Sequence, residues 1–274
     1  MIRLIKGKSI IKIIAAAAVI LSSVSLSSCH DANASKESAE SSLGGPRPDD
    51  ALNKLMRSLA DGDAPGFAAL CVYPIIRPYP LKDIEDSLAM VDYFPILIDA
   101  PLQDRMRKGK PEEWTNYGWR GWSIGDDRPI WFDEGVQFID YQSPAETGLR
   151  KMLAREELKT LAPAYRDGWT PVMTLIQTDG RSVIRIDSKE DTYRMMAYDN
   201  TVDVSGSPSL LLLGSLREEG SAGTRTFEFS DSVGTKAEYS PDSEASDRVF
   251  FSGPKTDRKE MNVRQGYWRD VVRH

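Results

Sequence analysis

From Trp169 to Gly253 the chain repeats one pattern: a short run rich in β-branched, aromatic and other apolar residues, then a few turn residues. The runs read WTPVMTLIQ, RSVIRIDS, TYRMMAYD, SLLLLGSLRE, TRTFEFS, TKAEYS and RVFFSG. Runs of this length read as strands, and connections this short join antiparallel neighbours, because a parallel pair needs a crossover of a dozen residues or more. The first two runs form a hairpin about Thr178 to Gly180. The pattern therefore predicts an antiparallel β-sandwich or barrel over residues 161–274. YWRDVV, close to the last residue, reads as a closing helical turn or a last strand.

Ahead of that block the period is mixed. Leu52, Leu55, Met56 and Leu59 follow helical spacing, with Asp49 or Asp50 as cap and Gly62 as stop. The proline-rich stretch VYPIIRPYPL excludes a helix and a central strand. A second helix is expected over LKDIEDSLAMVDYF, with Ile84, Leu88 and Val91 on one face and Pro95 bending or ending it. PLQDRMRKG is a third. WRGWSI and PIWF read as strands joined by a turn at Gly125-Asp126-Asp127, and Glu134-Gly135 turns the chain into VQFIDY. Residues 49–145 thus read as an α+β domain. A helix over 146–160, with Leu149, Met152, Leu153 and Leu158 partly periodic, connects it to the β-rich part.

The first 48 residues are of another kind. Arg3, Lys6, Lys8 and Lys12 precede the apolar run Ile13 to Leu21, nine residues against the roughly 20 that a membrane span needs. That is the layout of a secretory signal. Leu26-Ser27-Ser28-Cys29 then resembles the bacterial lipoprotein box. The resemblance implies cleavage after residue 28 and diacylation of Cys29, with palmitate-like chains holding the protein to a membrane of the cell envelope on the non-cytoplasmic side. Two or more acyl chains make a stable anchor where one does not. Residues 29–48, small and polar, read as a disordered tether.

Removal of the leader takes four basic residues and no acidic ones, so 35 Lys+Arg fall to 31 against 41 Asp+Glu, a net charge of −10. A chain of that sign gains nothing from phosphate backbones, and nucleic acid is not expected as a partner. Only Cys71 then remains as a thiol, in the apolar FAALCVYP, where it reads as buried and inert.

Gly121-Trp122-Ser123-Ile124-Gly125 matches the G-x-S-x-G nucleophile elbow. An elbow requires a strand, a turn at the serine and then a helix, with a base within reach. A turn and a strand follow Gly125, and the two histidines are His30 and His274. Ser123 is therefore not expected to be a nucleophile, and no catalytic residue is assigned. No H-E-x-x-H motif, cysteine pair, calcium loop, phosphate loop or dinucleotide fingerprint is present, so no metal or cofactor is expected. The acidic group Asp187 to Asp191 reads as a solvated turn, and Gly220 to Gly223 as a hairpin turn.

Trp114, Tyr117, Trp119, Trp122 and Trp131 fall within 18 residues, with Arg120 among them. On a regular strand Trp119 would face one side, and Arg120 and Trp122 the other. These aromatics either all pack in the core or form a platform for an apolar or sugar-like ligand. The candidate ligand-binding set is Trp119, Arg120, Trp122 and Trp131, with Tyr73, Arg77 and Tyr79 as its rim. The residues Tyr73-Pro74, the Asp86 to Phe94 helix, Gly121, Gly125 and Trp131-Phe132 resemble a group of bacterial secreted proteins with a nuclear transport factor 2-like shape. The resemblance covers residues 67–141 and implies a curved antiparallel sheet with helices over it, a cone with a pocket. Most of that group has no assigned activity. The function expected is a membrane-anchored envelope lipoprotein that binds or scaffolds a small molecule, a glycan or another envelope protein. The alternative is an enzyme using carboxylates near the tryptophans on glycan or cell-wall material.

Overall fold

The computed structural model describes residues 48–219, 223–243 and 245–271. The leader, the tether and Cys29 lie outside the described residues, as do His30, His274 and, apart from Gly223, the Gly220 to Gly223 turn. The described residues fall within one compact unit.

Helix α1 (Asp49–Asp61) follows its pattern: Leu52, Leu55, Met56 and Leu59 are buried, and Gly62 stops the helix in the left-handed conformation. Helix α2 (Ala64–Ala68) comes next. The proline segment then runs extended to α3 (Ser87–Leu97). Here the expected face is corrected. Asp86 caps α3, its Oδ1 accepting from the Ala89 N–H at 2.9 Å, so Ile84 precedes the helix and bonds in an isolated bridge with Ile75. The buried face is Met90, Phe94 and Leu97, the right period displaced by a few residues, while Leu88 is 78% exposed. Pro95 lies inside α3 and does not end it. Helix α4 (Ala100–Lys108) is capped by Asp99 and packs along α1.

A four-stranded antiparallel sheet follows in simple order: β1 (Trp114–Asn116), β2 (Trp122–Ile124), β3 (Ile130–Asp133) and β4 (Gly135–Ile139). Trp114, Ile124, Ile130, Phe132, Val136 and Ile139 join the four helices in one core. Helix α5 (Pro144–Lys159) then starts at Ser143, whose hydroxyl accepts from the Glu146 N–H at 3.0 Å. Its apolar residues are not its buried face. Met152 is 51% exposed, and the buried residues are Glu146 and Glu157. These two glutamates meet polar partners, while Leu158 packs on an apolar cluster.

The remaining strands are β5 (Thr170–Gln177), β6 (Val183–Lys189), β7 (Thr192–Tyr198), β8 (Leu210–Glu219), β9 (Thr224–Ser230), β10 (Lys236–Tyr239), β11 (Arg248–Gly253) and β12 (Thr256–Gly266). They close into an eight-stranded antiparallel barrel, each strand beside its sequence neighbours and β12 beside β5. Of the two expected architectures, the barrel is the one formed. Strand β12, TDRKEMNVRQG, was not expected: among its described side chains only Val263 and Gly266 are buried, and its charges conceal the alternation. The YWRDVV segment gives a helical turn, α6 (Trp268–Val271). Alternate residues such as Leu175, Ile186, Met195, Phe227, Phe229 and Tyr239 fill the interior. Eight strands leave just room for such a packed core.

Strands β5 to β7 are buried on both faces. Their outer face carries Ile176, Val183, Met196 and Tyr198, covered by Leu158, Leu161, Tyr165, Val202 and Val204. The same outer face carries Thr174, Arg185, Asp187 and Arg194, all buried. Asp187 therefore does not belong to a solvated turn. It sits on β6, and only the residues beyond it form the turn, where Glu190 has φ 52°.

Candidate functional site

Trp119 and Arg120 are not on a strand. Residues Gly118–Arg120 make a single 3₁₀ turn, so the alternation expected through Trp122 does not apply. Three hydrogen bonds hold the turn. Gly118 N–H donates to Asn116 Oδ1 at 2.7 Å, Tyr117 N–H to Gly121 O at 2.8 Å, and Gly121 N–H to Gly118 O at 3.0 Å. Gly121 has φ 82° and ψ −150°, a region that only glycine enters readily, and a Cβ there would lie 2.5 Å from the Phe132 carbonyl oxygen. The turn is thereby pinned to β3. It presents Trp119 at 79% exposure, with the Arg120 guanidinium 5.1 Å from the centre of its ring. At an exposed site such stacking contributes about 0.5–1 kcal/mol, enough to bias the pair but not to fix it.

The other glycine of the G-x-S-x-G pattern also has a local reason. Gly125 has φ 71°, and a Cβ on it would fall 2.0 Å from Arg105 Nη2. That guanidinium donates to Ile124 O at 3.1 Å and grips both oxygens of Asp127 at 2.7 and 2.8 Å. The hydrogen bond from Arg105 holds the Asp127 carboxyl below the usual carboxylate range. Between the glycines Ser123 is fully buried, and its hydroxyl donates to Ile130 O at 2.8 Å. A strand, not a helix, follows. This is not a nucleophile elbow.

Trp131 is buried, donates from Nε1 to Asp140 Oδ2 at 2.8 Å, and meets the Tyr117 ring edge-on at 5.3 Å. Arg128 stands 4.6 Å over Tyr117. Trp122 is half-buried and packs against the helical core. So of the tryptophans proposed as a platform, only Trp119 is presented to solvent.

The three residues expected at the rim lie elsewhere. Tyr73 is half-buried and donates to Ala68 O at 2.8 Å. Arg77 is 4% exposed. Its guanidinium makes a bidentate pair with Glu146 at 2.6 and 2.8 Å, and donates to Ile139 O and, at 2.9 Å, to Tyr141 O. Tyr93 adds a third donor to Glu146 at 3.1 Å. Tyr79 is buried, and its hydroxyl lies 2.8 Å from both Glu157 Oε1 and Thr174 Oγ1. Arg77 and Tyr79 are therefore not at the rim of a tryptophan platform. The proline-rich segment instead lies between α5 and the sheets, and its polar side chains point inward.

Tyr79 leads into a second charge network. Arg185 joins Glu157 Oε1 at 2.5 Å to Asp187 Oδ1 at 2.9 Å, and Arg194 reaches Asp187 Oδ2 from Nε at 2.9 Å and Nη2 at 2.8 Å. Arg194 also stacks 4.3 Å over the Trp169 ring. Two guanidiniums face two carboxyl groups, so each buried charge has a hydrogen-bonded partner. The sequence carries a faint sign of this. VIRIDS puts Val183, Arg185 and Asp187 on one face of a strand whose other face carries Ile184 and Ile186, and an apolar residue beside an Arg and an Asp on one face is consistent with a covered charge pair.

Cys71 is half-buried, and burial pushes its thiol up to about 12, which leaves it unreactive. A cleft of about 540 Å³ crosses the outside of β8 to β12, lined by Glu228, Lys236, Glu238, Phe250 and Arg258 among others. None of the expected ligand-binding residues borders it. Among the described residues no group of three His, Cys, Asp or Glu is placed to hold a metal, and no helix is long and apolar enough to cross a membrane. No family model matches the chain, and neither a curated protein nor a solved structure matches it.

Proposed function

We propose that this chain is a lipid-anchored module of the bacterial cell envelope that binds or scaffolds a partner without catalysing a reaction. The observation that carries the binding half is Trp119: a large apolar ring held out to solvent by a turn that two glycines and three hydrogen bonds define. A rigid indole presents contact area without an ordering cost, and Arg120 beside it suits a ring-bearing ligand that is acidic or sugar-like. The cone-like, nuclear transport factor 2-like form of the small sheet and its helices belongs to the same reading. The anchoring half rests on the basic start, the short apolar run and Leu-Ser-Ser-Cys. Against the glycan-cleaving alternative stands the engagement of the buried carboxylates Glu146, Glu157 and Asp187 by arginines, which suits structure more than acid–base work.

Two measurements test the halves separately. Cells given a fatty-acid probe should label the wild-type chain and not Cys29→Ala; equal labelling of both removes the anchor. Soluble peptidoglycan fragments should change the tryptophan fluorescence of the wild type, and Trp119→Ala should abolish that change while shifting stability by no more than about 0.5 kcal/mol, as exposed positions do. A response that survives in Trp119→Ala would move the site elsewhere.

A further inference from the structure

The carboxyl of Glu157 is used on one side only. Three donors converge on Oε1: the Tyr79 hydroxyl at 2.8 Å, the Thr174 hydroxyl at 3.3 Å and Arg185 Nη1 at 2.5 Å. Oε2, equally buried, has no partner, and neither does Nε of Arg185. A bare buried carboxylate oxygen is costly; with the proton on Oε2 that atom still lacks a partner, but as a neutral hydroxyl it costs less than as a charged oxygen, and Oε1 stays the acceptor of all three bonds. Arg185 does not lose its counter-ion in that form, because Asp187 Oδ1 holds Nη2 at 2.9 Å. Glu157 also lies two residues from the end of α5, where that helix meets the outer face of β5 and β6.

We propose that Glu157 is a proton-set latch between α5 and the barrel: the final turns of the helix grip the barrel wall more tightly when this carboxyl is protonated than when it is charged. The groups that face it are Tyr79 from the proline segment, Thr174 from β5, and Arg185 and Asp187 from β6, with Arg194 of β7 behind Asp187. Burial raises the Glu157 carboxyl above its ordinary range; Asp187 acts in the same direction, and Arg185 and Tyr79 oppose it. The sign follows from linkage. With a folded pKa above the unfolded one, the folded helix takes up a proton that the released helix does not, so grip is gained as pH falls through the folded value and is lost as pH rises through it. A protein on the outer side of a membrane meets such pH changes directly.

Amide hydrogen exchange on the purified full chain reads the latch. Corrected for intrinsic rates, the opening equilibrium of residues 153–159 should fall, by up to about tenfold per pH unit, as pH is lowered through the folded value of Glu157, and should level off where a free glutamate is also protonated. In Glu157→Gln, which mimics the neutral acid, that dependence should vanish and protection should stay high. Should the variant fail to fold, infrared spectra of the glutamate-¹³C-labelled wild type decide. A protonated buried carboxyl band must persist above the pH at which exposed glutamates ionise. Exchange that does not vary with pH, an equal dependence in Glu157→Gln, or the absence of that band each overturns the latch.

Discussion

Single residues explain most of what the sequence seemed to offer as chemistry. Gly121 and Gly125 are glycines because something stands where a Cβ would go: a main-chain carbonyl at 2.5 Å in one case, the tip of an arginine at 2.0 Å in the other. The two obstacles differ in how they yield. Arg105 can swing away, whereas the Phe132 carbonyl is built into β3. Gly121→Ala should therefore cost about 3 kcal/mol and Gly125→Ala about 1–2 kcal/mol, as urea unfolding would report. Equal losses would mean that the shared positive φ, and not the obstacle, sets the cost. That Ser123 does not sit on a nucleophile elbow was readable from the order of residues, since no helix signal follows Gly125. The exposure of Trp119 was not. It depends on a left-handed Gly118 breaking a run that otherwise alternates like a strand.

At the scale of elements, α5 shows how a correct helix can carry an incorrect face. A helix over 146–160 was legible from the partial period, two residues late at its start because the Ser143 cap and Pro144 were not read as its beginning, yet its buried side chains are two glutamates. Hydropathy ranks such residues as outward, and only their partners, far away in sequence, reverse that. Arg77 lies 69 positions from Glu146, and Arg185 lies 28 from Glu157. The Arg77–Glu146 pair offers a clean test. Arg77→Met leaves a buried carboxylate without its guanidinium and should cost about 3–5 kcal/mol. Arg77→Met combined with Glu146→Leu should recover most of that loss, and a double-mutant cycle by chemical denaturation would measure the coupling. Strand β12 escaped notice for the opposite reason: its outward charges dominate its composition, and its inward side chains are too few to announce a period.

For the whole molecule, the strand run from Trp169 was enough to establish an antiparallel barrel or sandwich, because short turns leave few other arrangements. Closure was not legible, since it rests on β12 meeting β5. The division near residues 146–160 is a separate proposal. The barrel has its own interior, so residues 161–274 should unfold cooperatively alone. They should do so at lower denaturant than the full chain, because Ile176, Val183 and Met196 would lose the cover of Leu158 while Arg185 lost Glu157. A fragment that melts without a transition would show that the barrel depends on its helical neighbour.

Closure also sets an order of events during synthesis. Gln177 of β5 is bonded across to Val263 of β12, so the strand that begins the barrel must wait for the one that completes it. Seven consecutive hairpins can form as the chain is delivered, but the seam joining first to last cannot. Until then β5 offers an unpaired edge, the kind of surface that invites chain-to-chain pairing. A ribosome, which delivers the polypeptide from its N-terminal end, would therefore release an open sheet first and a cylinder only once β12 has emerged. In that interval a holding chaperone has something to hold.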